Sequence, residues 1–147
     1  MKLDRYELQA GDKLLTYEFL SEGSKGEIVK LIQFTLVNEN NLYNLAFGDK
    51  DPVSGIIDDK VVTDNGDREK VLATVVAAVY AFTDYVPFAW IYATGSTASR
   101  TRLYRIGINK YFELMEEDFE VFGQLKGEWE QYLKGGHYEA FAVRRKQ

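Results

Sequence analysis

Apolar positions along this 147-residue chain form strand-like runs towards both ends and recur at helical spacing in between. Residues 16–21 and 27–37 read as a hairpin around Glu22-Gly23-Ser24-Lys25-Gly26. The glycines there can supply positive φ, and the five-residue spacing suits a longer loop. In the second strand Ile28, Ile32, Phe34 and Leu36 share one face, while Val29, Leu31 and Val37 share the other. Apolar residues on both faces predict a central strand, covered on at least part of each side. Asn38-Glu39-Asn40-Asn41 is a polar turn leading into a third strand, 42–47, which completes an antiparallel meander.

Residues 48–65 are loop-like and acidic, with a short strand expected at Lys60-Val61-Val62. The clearest helix runs from 67 to 85, where Val71, Val75, Ala78, Val79 and Phe82 recur with alanines between them. Asp64, Asn65, Asp67 and Glu69 surround its start, where caps and acids belong, and Pro87 ends any continuation. A strand at 88–94 leads into a second helix, starting at Ser96 or Thr97 and reaching about Met115. Residues 119–125 and 138–144 read as closing strands, and 126–136 as a looser connection holding Trp129 and Tyr132. The order β-β-β-α-β-α-β-β predicts one α+β domain over residues 1–147, with two helices packed on an antiparallel or mixed sheet.

The segment that runs from the 88–94 strand into the second helix carries the most chemistry: Ala93-Thr94-Gly95-Ser96-Thr97-Ala98-Ser99-Arg100-Thr101-Arg102-Leu103-Tyr104-Arg105. Arg100, Arg102 and Arg105 fall in the N-terminal half of the helix, and Glu113, Glu116, Glu117 and Asp118 gather near its end. Both groups oppose the helix dipole, each charge forgoing ~0.3–1 kcal/mol at the surface. The first helix has the favourable acidic start, so the reversal is local. Arg102, Arg105, Asn109, Glu113 and Glu116 follow one polar stripe, whereas Arg100 projects from the edge of the packing face.

Two readings stand. In the first, Gly95, Ser96, Thr97, Ser99, Arg100 and Arg102 form a strand-loop-helix site for a small anion, a phosphate or a nucleotide. In the second, Arg100 forms a structural salt bridge with an acidic loop residue such as Asp49, Asp51, Asp58 or Asp59, and the domain is a protein–protein interaction or regulatory module. Gly95-Ser96-Thr97 is no Walker loop, because the Gly-Lys-Ser/Thr ending is missing.

Other candidates are weaker, and they leave open whether any reaction is catalysed. Asp49, Asp51, Asp58, Asp59, Asp64 and Asp67 match no EF-hand spacing and read as turn and cap residues. His137, the only histidine, would share a strand face with Glu139 and forms a surface pair as readily as a general base. Arg144-Arg145-Lys146 reads as a solubilising basic tail. No motif calls for a cofactor or a resident metal.

Composition narrows the class. Ten Tyr, nine Phe and two Trp favour a sheet-based core. A net charge of −5 disfavours broad, non-specific nucleic-acid binding. Cysteine is absent, which removes disulfides, thiolate nucleophiles and cysteine-based zinc sites. The N-terminus lacks the apolar core of a signal peptide, and no apolar run approaches the ~20 residues that span a bilayer. These features predict a soluble, cytoplasmic protein.

Gly48-Asp49, Asn65-Gly66-Asp67-Arg68-Glu69-Lys70-Val71-Leu72-Ala73-Thr74-Val75, Ala93-Thr94-Gly95-Ser96-Thr97, Arg100-Thr101-Arg102-Leu103-Tyr104-Arg105 and Tyr138-Glu139-Ala140-Phe141 together resemble an uncharacterised bacterial family of about this length, found largely in the Bacteroidota and known as a domain of unknown function. The resemblance covers nearly the whole chain. It implies a stand-alone bacterial domain and carries no established activity, cofactor or catalytic residue.

Overall fold

In the computed structural model, which describes residues 3–58, 63–95 and 97–147, the helix expected at 67–85 is α1 (Arg68–Tyr85). Eleven of its 18 residues are buried, and every position from 71 to 79 is among them. A helix apolar on all sides must be covered on all sides. The sheet covers one. The second helix, α2 (Ala98–Asp118), and the chain's first residues cover the rest.

The sheet contains β1 (Gln9–Ala10), β2 (Thr16–Gly23), β3 (Gly26–Asn38), β4 (Leu42–Asp49), β5 (Trp90–Ala93), β6 (Phe119–Leu125), β7 (Glu128–Gln131) and β8 (Ala140–Arg145). Among the described residues it is eight-stranded, in the order β1-β2-β3-β4-β5-β8-β6-β7. All neighbours are antiparallel except β4 and β5. The mixed α+β architecture with two helices is as expected, and β1 and β7 are additional strands.

The parallel pair β4–β5 requires a crossover, and α1 supplies it. β6 also runs parallel to β5, because β8 is inserted antiparallel to both. α2 is therefore a second crossover, moving across the sheet in the same direction as the first. Right-handed crossovers taken in one direction place their helices on one face. Leu72 and Val75 of α1 and Tyr104 and Ile108 of α2 accordingly meet Leu45, Ile91, Phe141 and Val143 of the sheet, around an apolar void of about 60 Å³.

Aromatic rings fill that layer. Phe34 stacks on Phe82 of α1 at 4.2 Å, and Tyr43 meets the same ring edge-on at 4.9 Å. Phe19 lies between Tyr6 and Phe47, at 5.6 and 6.2 Å. The Tyr6 N–H donates to Thr74 Oγ1 at 2.8 Å, so the N-terminal segment is fastened to α1.

Some expected boundaries move, for physical reasons. The β2–β3 loop is only Ser24-Lys25, because Asn65 clamps it. Asn65 accepts the N–H groups of Ser24 and Lys25 at 3.1 and 2.6 Å and donates to the Gly26 carbonyl at 2.8 Å. Gly23 is required there, since a Cβ would lie 1.9 Å from the Asn65 carbonyl oxygen. Apolar residues on both faces of β3 proved accurate only in part. Ile32 and Phe34 are buried under α1 and Leu31 is buried on the opposite face, while Leu36 and Val37 are exposed. The connection after β6 is not loose, as it forms β7 and buries Tyr132. The expected strand at Lys60-Val61-Val62 lies outside the described residues.

Burial leaves a titration signature. The Tyr104 hydroxyl is pushed up to about 12 by its burial between α2, α1 and the sheet. An unfolded tyrosine ionises near pH ~10. Below that both states hold the proton; above it the unfolded chain loses the proton first, so stability falls between about pH 10 and 12, by roughly 2–3 kcal/mol from this residue. Thermal unfolding between about pH 9 and 11 should show a falling Tm, and Tyr104→Phe should make that fall shallower. Equal slopes in the two proteins would exclude Tyr104 as a source.

Candidate functional site

β4 ends at Asp49, opposite Lys30 in the first part of β3 and beside the starts of both helices, and there the core layer opens into a cleft of about 250 Å³. Its walls are Lys30 and Phe47 from the sheet, Thr63 to Asn65 before α1, Asp67, Arg68 and Val71 at the α1 start, and Ser99, Arg100 and Leu103 at the α2 start.

Lys30 interrupts an apolar strand and is 1% exposed. A buried ammonium needs a counter-charge and acceptors. Asp49, its register partner on β4, forms an ion pair with it, and the Thr63 carbonyl accepts from Nζ at 2.9 Å. Thr63 also donates its hydroxyl to Asp49 Oδ2 at 2.6 Å, closing the group.

A second network fixes the α1 start. Asp67 is the N-cap residue, yet its side chain makes no cap hydrogen bond. Its carboxylate instead accepts from the hydroxyls of Tyr6 and Ser21, each at 2.5 Å. Burial raises the Tyr6 hydroxyl above the usual tyrosine value, and the hydrogen bond to Asp67 adds to it. Asn65, itself fully buried, donates to Ser21 Oγ at 3.1 Å.

At the α2 start, Thr97 is the N-cap and accepts the Arg100 N–H through Oγ1 at 3.2 Å. The Gly95 N–H donates to Thr101 Oγ1 at 3.1 Å. A Cβ on Gly95 would lie 2.3 Å from the Thr101 nitrogen, so glycine is what allows the loop to fold back on the helix. Arg100 Nη2 donates to the Asp58 carbonyl at 2.8 Å, which aims the guanidinium along the cleft wall.

Against this geometry one comparison is informative. A model of a family of unknown function, DUF6934, matches residues 2–146. The chain belongs to this family. It has no match among curated proteins and none among solved structures. For a DUF6934 member the site must therefore be read from its own residues.

Of the six residues predicted to hold an anion, the fold brings Ser99 and Arg100 to the cleft. Gly95 and Thr97 are engaged in closing the helix start, Arg102 is exposed on α2, and Ser96 lies outside the described residues. Arg105 is no surface charge: its Nη2 donates to the Tyr138 carbonyl at 3.0 Å. The two arginines of the basic tail are likewise structural, Arg144 through its ion pair with Glu120. Arg145 binds Thr83 Oγ1 at 2.8 Å and Asp84 at 2.6 Å, and its guanidinium lies over the Tyr80 ring at 4.9 Å. His137 is exposed before β8, outside any strand, and is not among the cleft residues. Among the described residues no group of three or more His, Cys, Asp or Glu is placed to hold a metal.

Lys30 and Arg68 were missed in the sequence. Lys30 left a readable signal, a lysine between Val29 and Leu31 in an otherwise apolar run. Arg68 also opposes its helix dipole, but Asp67 and Glu69 on either side of it give that helix start an acidic look and mask the signal.

The Lys30–Asp49 pair is open to a direct test. Asp49→Asn leaves a buried ammonium without its counter-charge and should destabilise by about 3–5 kcal/mol in urea unfolding. Lys30→Met combined with Asp49→Leu should recover most of that loss. A single-variant effect below about 1 kcal/mol would show that the pair is effectively solvated.

Proposed function

We propose that the cleft binds a small anion, either phosphate or the phosphate of a nucleotide. The observation that supports this most is convergence: Arg68 from the start of α1 and Arg100 from the start of α2 line one cleft of about 250 Å³, with Lys30 at its back. First helical turns present backbone N–H groups and a field that favours negative charge. At α1 the cap carboxylate is turned away to Tyr6 and Ser21. Arginine adds a planar fork of donors suited to phosphate oxygens. The cleft also lies past the carboxyl ends of β4 and β5, the side on which parallel strands commonly present ligands.

Size and lining bound the ligand. Sites for drug-sized molecules run from ~300 Å³ upwards, so inorganic phosphate or a nucleoside monophosphate suits this cleft better than a dinucleotide. Phe47, Val71 and Leu103 provide an apolar floor for an uncharged portion. From the acidic, cysteine-free composition and the bacterial resemblance, we take the setting to be the bacterial cytoplasm.

Calorimetric titration of inorganic phosphate and nucleoside 5′-monophosphates at low salt tests this reading. Binding should weaken as salt is added, and Arg68→Ala and Arg100→Ala should each reduce affinity about tenfold or more, by loss of a charge-assisted contact. Arg102→Ala should leave it unchanged. Absence of binding heat at millimolar ligand, or equal affinity in all three variants, would overturn the proposal.

A further inference from the structure

Among the described residues, two crossovers on one face leave the other face of the sheet without a helix. On the β1–β4 half, that face carries Glu18, Gln33, Thr35 and Asn44 among its apolar residues, as a solvated sheet face should. On the other half Glu120, Gln124, Gln131 and Arg144 share that face with a cluster of large aromatic rings. Trp90 and Tyr92 of β5, Phe122 of β6 and Trp129 of β7 project there, and with Leu42 and Ala142 they line a shallow groove of about 450 Å³. Trp90 packs on Phe122 with ring centres 5.6 Å apart, and Tyr92 meets Trp129 edge-on at 5.8 Å. Trp129 is 43% exposed, and Phe88, two residues before Trp90, is 67% exposed. Both tryptophans of the chain lie in this patch.

Charge narrows what covers it. Glu120 on β6 and Arg144 on β8 are register partners beside the groove, joined by an ion pair, and the Arg144 guanidinium lies 4.4 Å over the Trp90 ring. The acids of β7 alternate to the other face, where Glu130 accepts from the Tyr138 hydroxyl at 2.9 Å. In a chain of net charge −5 the patch is thus neutral. It selects neither a basic nor an acidic partner. Its one acid and one base form a set that is its own complement, which is what a two-fold interface between identical surfaces requires.

We propose that this patch joins two copies of the chain, open face to open face. With the two-fold axis passing between Glu120 and Arg144, each Arg144 meets the partner's Glu120, and the aromatic clusters pack against one another. Stacked sheets lie ~10 Å apart, a spacing that aromatic side chains fill. Trp, Tyr and Arg at the centre, with charge confined to one compensated pair, is the composition of an interface core. The anion cleft opens on the helix side and is not needed for this association.

Sedimentation velocity on the full chain tests it, alongside tryptophan emission, which reports on this patch because both tryptophans are in it. Between about 1 and 100 µM the sedimenting mass should double and the emission should shift to the blue as water leaves the patch. Trp129→Glu, on an edge strand, should weaken self-association about tenfold or more. Arg144→Glu and Glu120→Arg should each be monomeric, yet mixing them should restore a dimer, because each variant then presents the charges the other lacks. Repulsion inside either variant is unchanged by mixing, so recovery reads contacts between copies only. A wild-type monomer at 100 µM would overturn the proposal, as would a dimer indifferent to Trp129→Glu, or a mixture that stays monomeric.

Discussion

A helix with no polar face joins the parallel strands β4 and β5, and the rest of the structure depends on covering it. From 71 to 79 every α1 residue is buried, so the sheet alone could not satisfy it. α2 shields a second side, reached by a crossover in the same direction as the first, and Tyr6 closes another through its hydrogen bond to Thr74. Two surfaces follow from that arrangement. Both helices start at the same end of the sheet, which puts Arg68 and Arg100 on one cleft, and both lie on one face, which leaves Trp90, Tyr92, Phe122 and Trp129 with no helix over them on the other.

The polar groups at the cleft end hold distant segments together. Asn65 clamps the β2–β3 turn, and Ser21 links it to Asp67, which binds Tyr6. Lys30, Asp49 and Thr63 join two strands to the segment before α1. Each group sits where the apolar layer runs out, so an unmade hydrogen bond there would leave a desolvated charge or amide. That is a reason for the cleft walls to be rigid, and rigid walls are what an ion-binding site requires.

What was legible in the sequence is what short-range pattern controls. The meander, the α1 span, the Thr97 cap and the closing strands follow from alternation, helical spacing and turn residues over a few positions. The two-residue hairpin loop was hidden because its clamp, Asn65, lies 40 residues from Lys25. β7 was hidden because it is four residues long, all of them exposed, too short for its alternation to stand out in the sequence. The cleft was legible only in part. Arg100 stood out against the helix dipole, but its companions Lys30 and Arg68 come from other elements, and only the crossovers bring them near.

Part of the reversed charge order along α2 has a tertiary origin. Arg105 is held by the Tyr138 carbonyl, Asp118 accepts from the Tyr80 hydroxyl at 2.7 Å, and Glu113 pairs with Lys134 at 3.1 Å. The bonds of Arg105 and Asp118 offset the few tenths of a kcal/mol, up to ~1, that each misplaced charge forgoes against the dipole, while the exposed Glu113 pair adds little. Arg100 differs because its bond to the Asp58 carbonyl lies on a cleft wall, where orientation matters as well as stability. The strand leading to it is β5, whose alternation serves both surfaces. Ile91 and Ala93 face the helices that frame the cleft, while Trp90 and Tyr92 face outward into the aromatic patch. Four residues thus connect the two surfaces, and a one-residue slip in their register would remove both.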